Sequence, residues 1–108
     1  MIRREEATST GVTQNMLDLI ARMDGRLHSY IHLCADRALA QAATADVEIG
    51  AGIYKGPLHG MPIAVKDLCY TTYAPTRAGT IIYKNFLPTY NATVVDRLET
   101  AGAVILGK

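Results

Sequence analysis

Residues 56–68 read Gly56-Pro-Leu-His-Gly-Met-Pro-Ile-Ala-Val-Lys-Asp-Leu68 and change from a turn to a strand within a few positions. The two glycines and the first proline disfavour a helix, so the segment begins as a turn. The continuous apolar run at 63–65 contains β-branched residues and does not alternate, which is typical of a buried strand in a parallel sheet. The sequence therefore predicts a strand over residues 62–66, with Lys66 at its end.

Lys66 is the first candidate functional residue, because it closes an apolar strand and is followed at once by Asp67. An ammonium group in a dry position costs free energy to desolvate unless it is paired, hydrogen-bonded or neutral. One interpretation is an ordinary strand-end lysine whose ammonium reaches water beside Asp67. The other is a lysine with a lowered pKa that takes a proton from a hydroxyl nucleophile. The spacing of residues leaves both interpretations open.

A short helix and a second apolar strand follow near the end of the chain. The helix is predicted from Asn91, a favoured N-cap, to about Ala101, with an inward face made of Val94, Val95 and Leu98. Gly102 suits the position after the helix, and residues 103–106 are again continuously apolar. Strand, loop, helix, strand is the pattern of two parallel strands, 62–66 and 103–107, in one sheet with a right-handed crossover.

The first half of the chain predicts mainly helices. Residues 1–12 are polar and are expected to be frayed. A first helix is predicted from about Thr13 to a stop near Gly25, with a core-facing stripe of Met16, Leu19, Ile20, Met23 and Leu27. Residues 29–33 are a weak strand candidate. An alanine-rich helix with a narrow apolar face is predicted from Ala35 to about Ile49, ended by the glycines that follow.

Composition and charge narrow the class of protein. The 108 residues are 49% hydrophobic and 19% charged, which indicates a folded, soluble protein. A net charge of +1 gives no electrostatic case for nucleic-acid binding. No apolar run approaches the roughly 20 residues that span a bilayer, and the start of the chain does not resemble a signal peptide. Cys34 and Cys69 have no metal or redox spacing, so free thiols and a cytoplasmic location are expected.

Three blocks of the sequence resemble one known family. Residues 56–67 resemble the Gly-Pro-Leu-His-Gly-Ile-Pro-Val-Ala-Val-Lys-Asp segment of the amidase signature family. Residues 91–98 and 101–108 resemble its Asp-Ala-Thr-Val-Val and Ala-Gly-Ala-Val-Ile-Leu-Gly-Lys blocks, in the same order. Thr71, Thr76, Gly79 and Pro88 extend the similarity between these blocks. A single match would be weak, whereas three matches in register are specific.

The resemblance implies a function and a fold. Lys66 would be the lysine of a Ser–cis-Ser–Lys triad, the base at the end of a proton relay that cleaves a small-molecule amide. The fold class would be α/β, with N-terminal helices leading into the first part of a mixed, largely parallel sheet covered by helices on both faces. Residues 1–55 would form an N-terminal helical region and residues 56–108 the start of the signature core. No metal or organic cofactor is implied.

The sequence also departs from the family. Family members usually carry glycine where this chain has Tyr73 and serine where it has Thr80. If that glycine has a positive φ, the loop 68–80 must follow another path here, because tyrosine is strained in that conformation. The glycine- and serine-rich segment that holds both triad serines is absent, and Ser9 and Ser29 match no part of it. We therefore expect the 108-residue chain by itself to be inactive.

Other functions and residues remain open on the sequence alone. The main alternative is the glutaminase subunit of the aspartyl/glutamyl-tRNA amidotransferase, since residues 85–88 and Tyr90 fit that protein. Another is a non-catalytic truncated paralogue that binds a partner. A homodimer and a complex with amidotransferase partner subunits are both compatible with the family. Cys69 is interpreted as a packing thiol rather than a nucleophile, and His59 as a turn residue. His28 and His32 are interpreted as structural or exposed, because no third metal ligand lies near them.

Overall fold

The computed structural model describes residues 7–108, with elements in the order α1, α2, β1, α3 and β2. The bounds are Ser9–Leu27 for α1, Ala35–Gly50 for α2, Pro62–Ala64 for β1, Thr93–Thr100 for α3 and Val104–Gly107 for β2. The predictions about the very start of the chain fall on residues 1–6, which lie outside the described residues. Within the described range, none of the helices has both the length and the apolar character needed to cross a membrane.

The two strands are parallel, direct neighbours. Pro62 pairs with Val104 and Ile63 with Ile105, and the register shifts before the third pair, which joins Ala64 to Gly107. The predicted parallel pair is therefore confirmed, although each strand is shorter than predicted. The shift in register explains the early end of β1, because regular pairing does not continue past it. The chain nevertheless stays attached, since the Val65 N–H donates to the Gly107 carbonyl at 3.1 Å.

Helices cover β2 on both faces because its side chains alternate. Val104 and Leu106 pack on one face against α1 and α2, in a cluster that includes Leu17, Ile20, Ala38 and Ala42. Ile105 packs on the other face with Val65 and Val95 of α3. Every residue of β2 is buried. The predicted α/β architecture, with helices on both faces of a parallel sheet, is thus present around this strand.

Helix α1 differs from its prediction in both its bounds and its buried face. It begins at Ser9 rather than near Thr13, and it continues through Gly25 to Leu27, where His28 ends it with a φ of 52°. Its buried residues are Ser9, Thr13, Leu17 and Ile20. Of the predicted stripe only Ile20 is buried, and Met16, Leu19, Met23 and Leu27 are exposed. The prediction was wrong because two hydroxyl residues, which were assigned to the outside, belong to the inner face.

The early start of α1 has a tertiary cause. Asp46 of α2 accepts the Ser9 N–H at 2.6 Å and the Thr10 N–H at 2.9 Å, and it also accepts the Thr10 hydroxyl at 2.7 Å. A carboxylate at a helix N-terminus satisfies orphan N–H groups and is favoured by the helix dipole. Burial alone would raise the pKa of Asp46, but the hydrogen bonds from Thr10 and Ser9 outweigh it and hold the pKa below 3.8.

We expect Asp46→Asn to loosen the first turn of α1, because its amide NH₂ would face an N–H donor. The cost should be about 1 to 2 kcal/mol, which makes exchange of the amides in residues 8–20 roughly 5- to 30-fold faster. Hydrogen exchange measured by mass spectrometry checks this, with Asp18→Asn on the exposed face of α1 as the control. Since the pKa of Asp46 is lowered by folding, its contribution is present above pH 3.8 and is lost below it. An equal effect of the two substitutions would contradict the cap.

Helix α2 agrees with its prediction, whereas the segment before it does not. Ala38, Ala42 and Ala45 are buried along the predicted small-residue face. Residues 29–33 do not form a strand, and only Leu33 makes an isolated antiparallel bridge, to Gly107. The physical reason is that backbone groups of this segment bond to the end of β2 rather than to a strand of matching length, as in the bond from the Ile31 N–H to the Lys108 carbonyl at 2.8 Å.

Helix α3 is shorter than predicted and is capped differently. Its N-cap is Ala92, which makes no side-chain cap hydrogen bond. Asn91 instead accepts the Thr72 N–H at 2.9 Å and donates to Asp96 at 2.9 Å, so it ties the preceding loop to the helix. Val95 is buried as predicted, but Val94 is 49% exposed. The Asn91 prediction was wrong because the side chain has a partner outside the helix.

Candidate active site

Lys66 lies two residues beyond β1, at the edge of the sheet where the carboxyl ends of both parallel strands meet. This edge is where open α/β sheets generally place their sites. Lys66 is exposed, and its carbonyl accepts the Cys69 N–H at 2.9 Å in the turn that follows. Among residues 7–108, no side chain hydrogen bonds to its ammonium. Its assignment as a base stays a prediction.

A cleft of about 680 Å³ opens beside Lys66. Four parts of the chain line it: His28, Ser29 and Ile31 after α1, residues 64–68, Ala78 with Gly79, and Lys108. The lining is largely apolar, and its charged groups are Lys66, Asp67 and Lys108. The fold therefore brings the candidate lysine to an open, mostly apolar cleft that is large enough for a small molecule.

Lys108 is a functional candidate that the sequence analysis missed. Its side chain is fully buried, and its ammonium donates to the Thr76 hydroxyl at 2.6 Å and to the Pro75 carbonyl at 3.1 Å. The Asp67 carboxylate lies 3.4 Å from the same ammonium. The signal was present in the sequence, because Lys108 follows an apolar strand in the same way that Lys66 does.

Asp67 holds together the two ends of the loop that follows β1. Its carboxylate accepts the Arg77 N–H at 3.2 and 3.3 Å, and its carbonyl accepts the Ala78 N–H at 2.9 Å. Ala78 has a φ of 50° and Gly79 a φ of 71°, so the chain turns sharply where the loop closes. Residues 67–78 are thus a closed loop whose ends meet beside Lys66.

Tyr73 does not strain this loop. The positive φ values near it belong to Ala78 and Gly79, and Tyr73 is not among the residues with a positive φ. The Tyr73 hydroxyl donates to Glu99 of α3 at 3.0 Å, and the guanidinium of Arg37 lies 3.7 Å from the ring centroid. Arg37 also pairs with Glu99 at 2.9 Å. The side chain that replaces the family's usual glycine therefore joins the loop to α2 and α3.

We expect Tyr73→Phe to cost about 1 to 2 kcal/mol, because it removes a hydrogen bond to a carboxylate and keeps the ring. Burial, and then the charge of Glu99, raise the pKa of Tyr73 above its ordinary 10.0. A raised pKa means that the contribution is present below pH 10.0 and lost as the pH rises above it. Thermal unfolding at pH 8 and pH 11 checks both points. Tyr83→Phe, on an exposed ring, is the control, and equal melting of the two variants would contradict the linkage.

The other candidate residues have structural partners. His59 is buried, its Nδ1 accepts the Lys55 N–H at 3.2 Å, and its Nε2 lies 2.8 Å from Glu48. Two hydrogen bonds, one from Lys55 and one from His59, lower the pKa of Glu48, the Lys55 bond contributing most. This arrangement supports His59 as a turn residue, away from the Lys66 cleft.

The two cysteines are free thiols, as expected. Cys69 packs against the cluster of Val65, Val95 and Ile105, which supports the interpretation of a packing residue. Burial raises the pKa of Cys34, which disfavours a reactive thiolate there. Neither cysteine lines the Lys66 cleft.

The two serines and the first two histidines differ in their access to the cleft. The Ser9 hydroxyl is buried and donates to the Gly60 carbonyl at 2.7 Å, whereas Ser29 and His28 are exposed on the cleft wall. His32 lies outside this lining. Over residues 7–108, no group of three or more metal-binding side chains comes together.

Comparison with known proteins supplies the family. The amidase family model matches residues 11–108. The chain is 54% identical over 108 residues to "Putative amidase AmiD" of Mycobacterium tuberculosis, covering 100% of this chain and 23% of the relative. It is 48% identical over 101 residues to one of the subunits of glutamyl-tRNA(Gln) amidotransferase of Anaeromyxobacter dehalogenans, covering 94% of this chain and 20% of the relative.

A solved structure agrees with these relatives. The peptide amidase of Stenotrophomonas maltophilia superposes with a TM-score of 0.92 at 41% identity, over 99% of this chain and 22% of that protein. The chain thus spans less than a quarter of the length of each of these proteins. The match covers both strands, all three helices and the turn that carries Lys66. The chain belongs to the amidase signature family.

Proposed function

We propose that this chain is the N-terminal part of an amide hydrolase in which Lys66 is the catalytic base. The observation that carries the proposal is the position of Lys66, an exposed amine on an apolar cleft at the carboxyl edge of a parallel strand pair. An amine in that position can accept a proton from a group bound in the cleft, and a side chain at the edge of a rigid sheet is well fixed. The family of the chain supports the same role.

The proposed reaction is acyl transfer through a Ser–cis-Ser–Lys relay in the complete protein. A serine attacks the carboxamide carbonyl, and its proton passes through the cis-serine to the amine of Lys66. Lys66 then returns the proton to the leaving ammonia or amine, and water hydrolyses the acyl-enzyme. We propose no metal or organic cofactor for this reaction. The signature core would begin near residue 56, after an N-terminal helical region.

We propose that the 108-residue chain has no amidase activity by itself. The Ser9 hydroxyl is buried and already donates to a backbone carbonyl, which makes it a poor nucleophile. Ser29 lines the cleft but matches no part of the family's serine-rich segment. Without that segment there is neither a relay to Lys66 nor a set of oxyanion donors, and these supply most of the rate enhancement.

The second candidate is the glutaminase subunit of a tRNA-dependent amidotransferase. The observation that favours it is the 48% identity to an amidotransferase protein over 94% of this chain. In that case glutamine would be the substrate, and partner subunits would receive the ammonia. A stand-alone amidase, by contrast, would be expected as a monomer or homodimer. The free thiols of Cys34 and Cys69 support a cytoplasmic location for either protein.

The experiment begins with the coding DNA beyond codon 108. If a Gly/Ser-rich segment follows in frame, the full-length protein should release ammonia from carboxamides and form an acyl-enzyme detectable by intact-protein mass spectrometry. Turnover of simple or peptide carboxamides without a partner identifies a stand-alone amidase, and turnover of glutamine with copurifying subunits identifies the amidotransferase. A stop codon directly after Lys108 would overturn both and indicate a non-catalytic paralogue, as would a full-length protein that never acylates.

A further inference from the structure

The ammonium of Lys108 is the most completely enclosed charge in the described part of the molecule. Its side chain is 0% exposed, and it contacts the Thr76 hydroxyl at 2.6 Å, the Pro75 carbonyl at 3.1 Å and the Asp67 carboxylate at 3.4 Å. A buried charge is tolerated only when it is paired and hydrogen-bonded. All three partners belong to the loop 67–78, so this charge joins that loop to the end of β2.

Lys66 lies between two attachments to the end of β2. On its N-terminal side, the Val65 N–H donates to the Gly107 carbonyl at 3.1 Å. On its C-terminal side, the Asp67 carboxylate meets the Lys108 ammonium. The residues before and after Lys66 are therefore both bound to Gly107 and Lys108. The backbone of Lys66 is fixed from both sides while its side chain remains free to enter the cleft.

Asp67 gains its position from Lys108 and from the closing of the loop. Its carboxylate also accepts the Arg77 N–H, which brings the far end of the loop to the same point. Thr76 strengthens this closure, since its hydroxyl accepts from Lys108 and donates to the Cys69 carbonyl at 3.4 Å. Removal of the ammonium would leave a half-buried carboxylate without its cation, and the start of the loop would be free to shift.

We propose that Lys108 is a positioning residue for Lys66, acting through Asp67 at the mouth of the cleft. This inference rests on the proposed function of Lys66 as the base. Its physical basis is that proton transfer requires donor and acceptor within hydrogen-bond reach, and a displacement of about 1 Å can cost roughly 10²-fold in rate. Lys108 itself does not touch the substrate, because its donors are directed into the loop.

The test compares Lys108→Met, Asp67→Asn and the double variant in the full-length protein. The measured quantity is the single-turnover rate constant of acyl-enzyme formation, which does not depend on how much of the protein is folded. Lys108→Met should lower it by about 10- to 100-fold. If Lys108 acts through Asp67, the double variant should be no slower than the slower single variant, because the two effects share one pathway. Lys84→Met, on an exposed lysine elsewhere, should leave the rate constant unchanged.

Two further variants keep the proposal open to contradiction. Thr76→Val keeps the charge pair and removes the 2.6 Å hydrogen bond, so it should give a smaller loss than Lys108→Met and tests the same contact if Lys108→Met does not fold. A normal acylation rate in folded Lys108→Met, or in Thr76→Val and Asp67→Asn together, would reduce Lys108 to a structural role and overturn the inference. Lys66→Ala separates the two proposals: normal acylation in that variant overturns the base assignment and, with it, the role of Lys108.

Discussion

Replacing Lys66 with alanine should abolish acyl-enzyme formation in the full-length protein, with a loss of at least about 10³-fold in the acylation rate constant. The reason is that a serine hydroxyl is a weak nucleophile unless a positioned base takes its proton. The side chain of Lys66 is exposed and makes no hydrogen bond within residues 7–108, so its removal should leave the melting temperature nearly unchanged. Loss of rate without loss of stability would identify a chemical role.

Lys66→Arg is the matched control for the role of charge. Arginine keeps the positive charge and much of the length of lysine, but it stays protonated in proteins and cannot act as a base. If Lys66 is the base, the arginine variant should be as slow as the alanine variant. If Lys66 only attracts an anionic group, the arginine variant should retain most of the activity. Near-normal acylation in either variant would contradict the assignment.

The parts of the fold that sequence predicts best are those whose signal is local. Both strands are continuous apolar runs, and the face of α2 is a regular series of alanines, so each element can be recognised from its own residues. Their parallel pairing also follows, because a helix separates them in the chain. The exact register does not follow, since the shift after Ile63 depends on how the end of β2 meets residues 31–34.

The errors in α1 and α3 have a common physical origin. Ser9 and Thr13 are buried on α1, where the Ser9 hydroxyl bonds to Gly60, which is 51 residues away. Asn91 is a favoured cap, yet its side chain accepts from Thr72, 19 residues earlier. Polar side chains that find distant partners do not follow helical periodicity or capping preferences. Such contacts are absent from any local pattern, so sequence spacing assigns these residues to the surface or to the wrong partner.

The candidate site shows the same limit. Lys66 was identified through a family resemblance, because strand-end position alone left two interpretations open. Lys108 has the same position at the end of the neighbouring strand, but its partners Pro75 and Thr76 lie 33 and 32 residues away. Tyr73 was expected to strain its loop, and instead it replaces a flexible position with a contact to Glu99. Burial and pairing of a charge become visible only when the elements are assembled.

Gly107→Ala should be the most destabilising small substitution in the chain, at about 3 kcal/mol, the upper part of the range for overpacking. A Cβ at this position would overlap the carbonyl oxygen of His32 and lie 3.0 Å from the Leu33 Cα. These are backbone atoms, so no change of rotamer relieves the contact. The segment cannot move away cheaply either, because the Lys108 N–H donates to the His32 carbonyl at 2.8 Å.

The effect of Gly107→Ala should extend to the candidate site, since the Gly107 carbonyl holds Val65 and the next residue is Lys108. We therefore expect a lower melting temperature, together with faster hydrogen exchange in residues 31–34 and 104–108. Gly25→Ala is the matched control, because a Cβ there meets nothing within 4 Å and the residue lies inside α1. That substitution should stabilise the helix by about 1 kcal/mol, since alanine loses less backbone entropy than glycine. Two glycine-to-alanine changes of opposite sign would show that the close approach at β2, rather than the added methyl group itself, determines the cost, and wild-type melting of Gly107→Ala would contradict that packing.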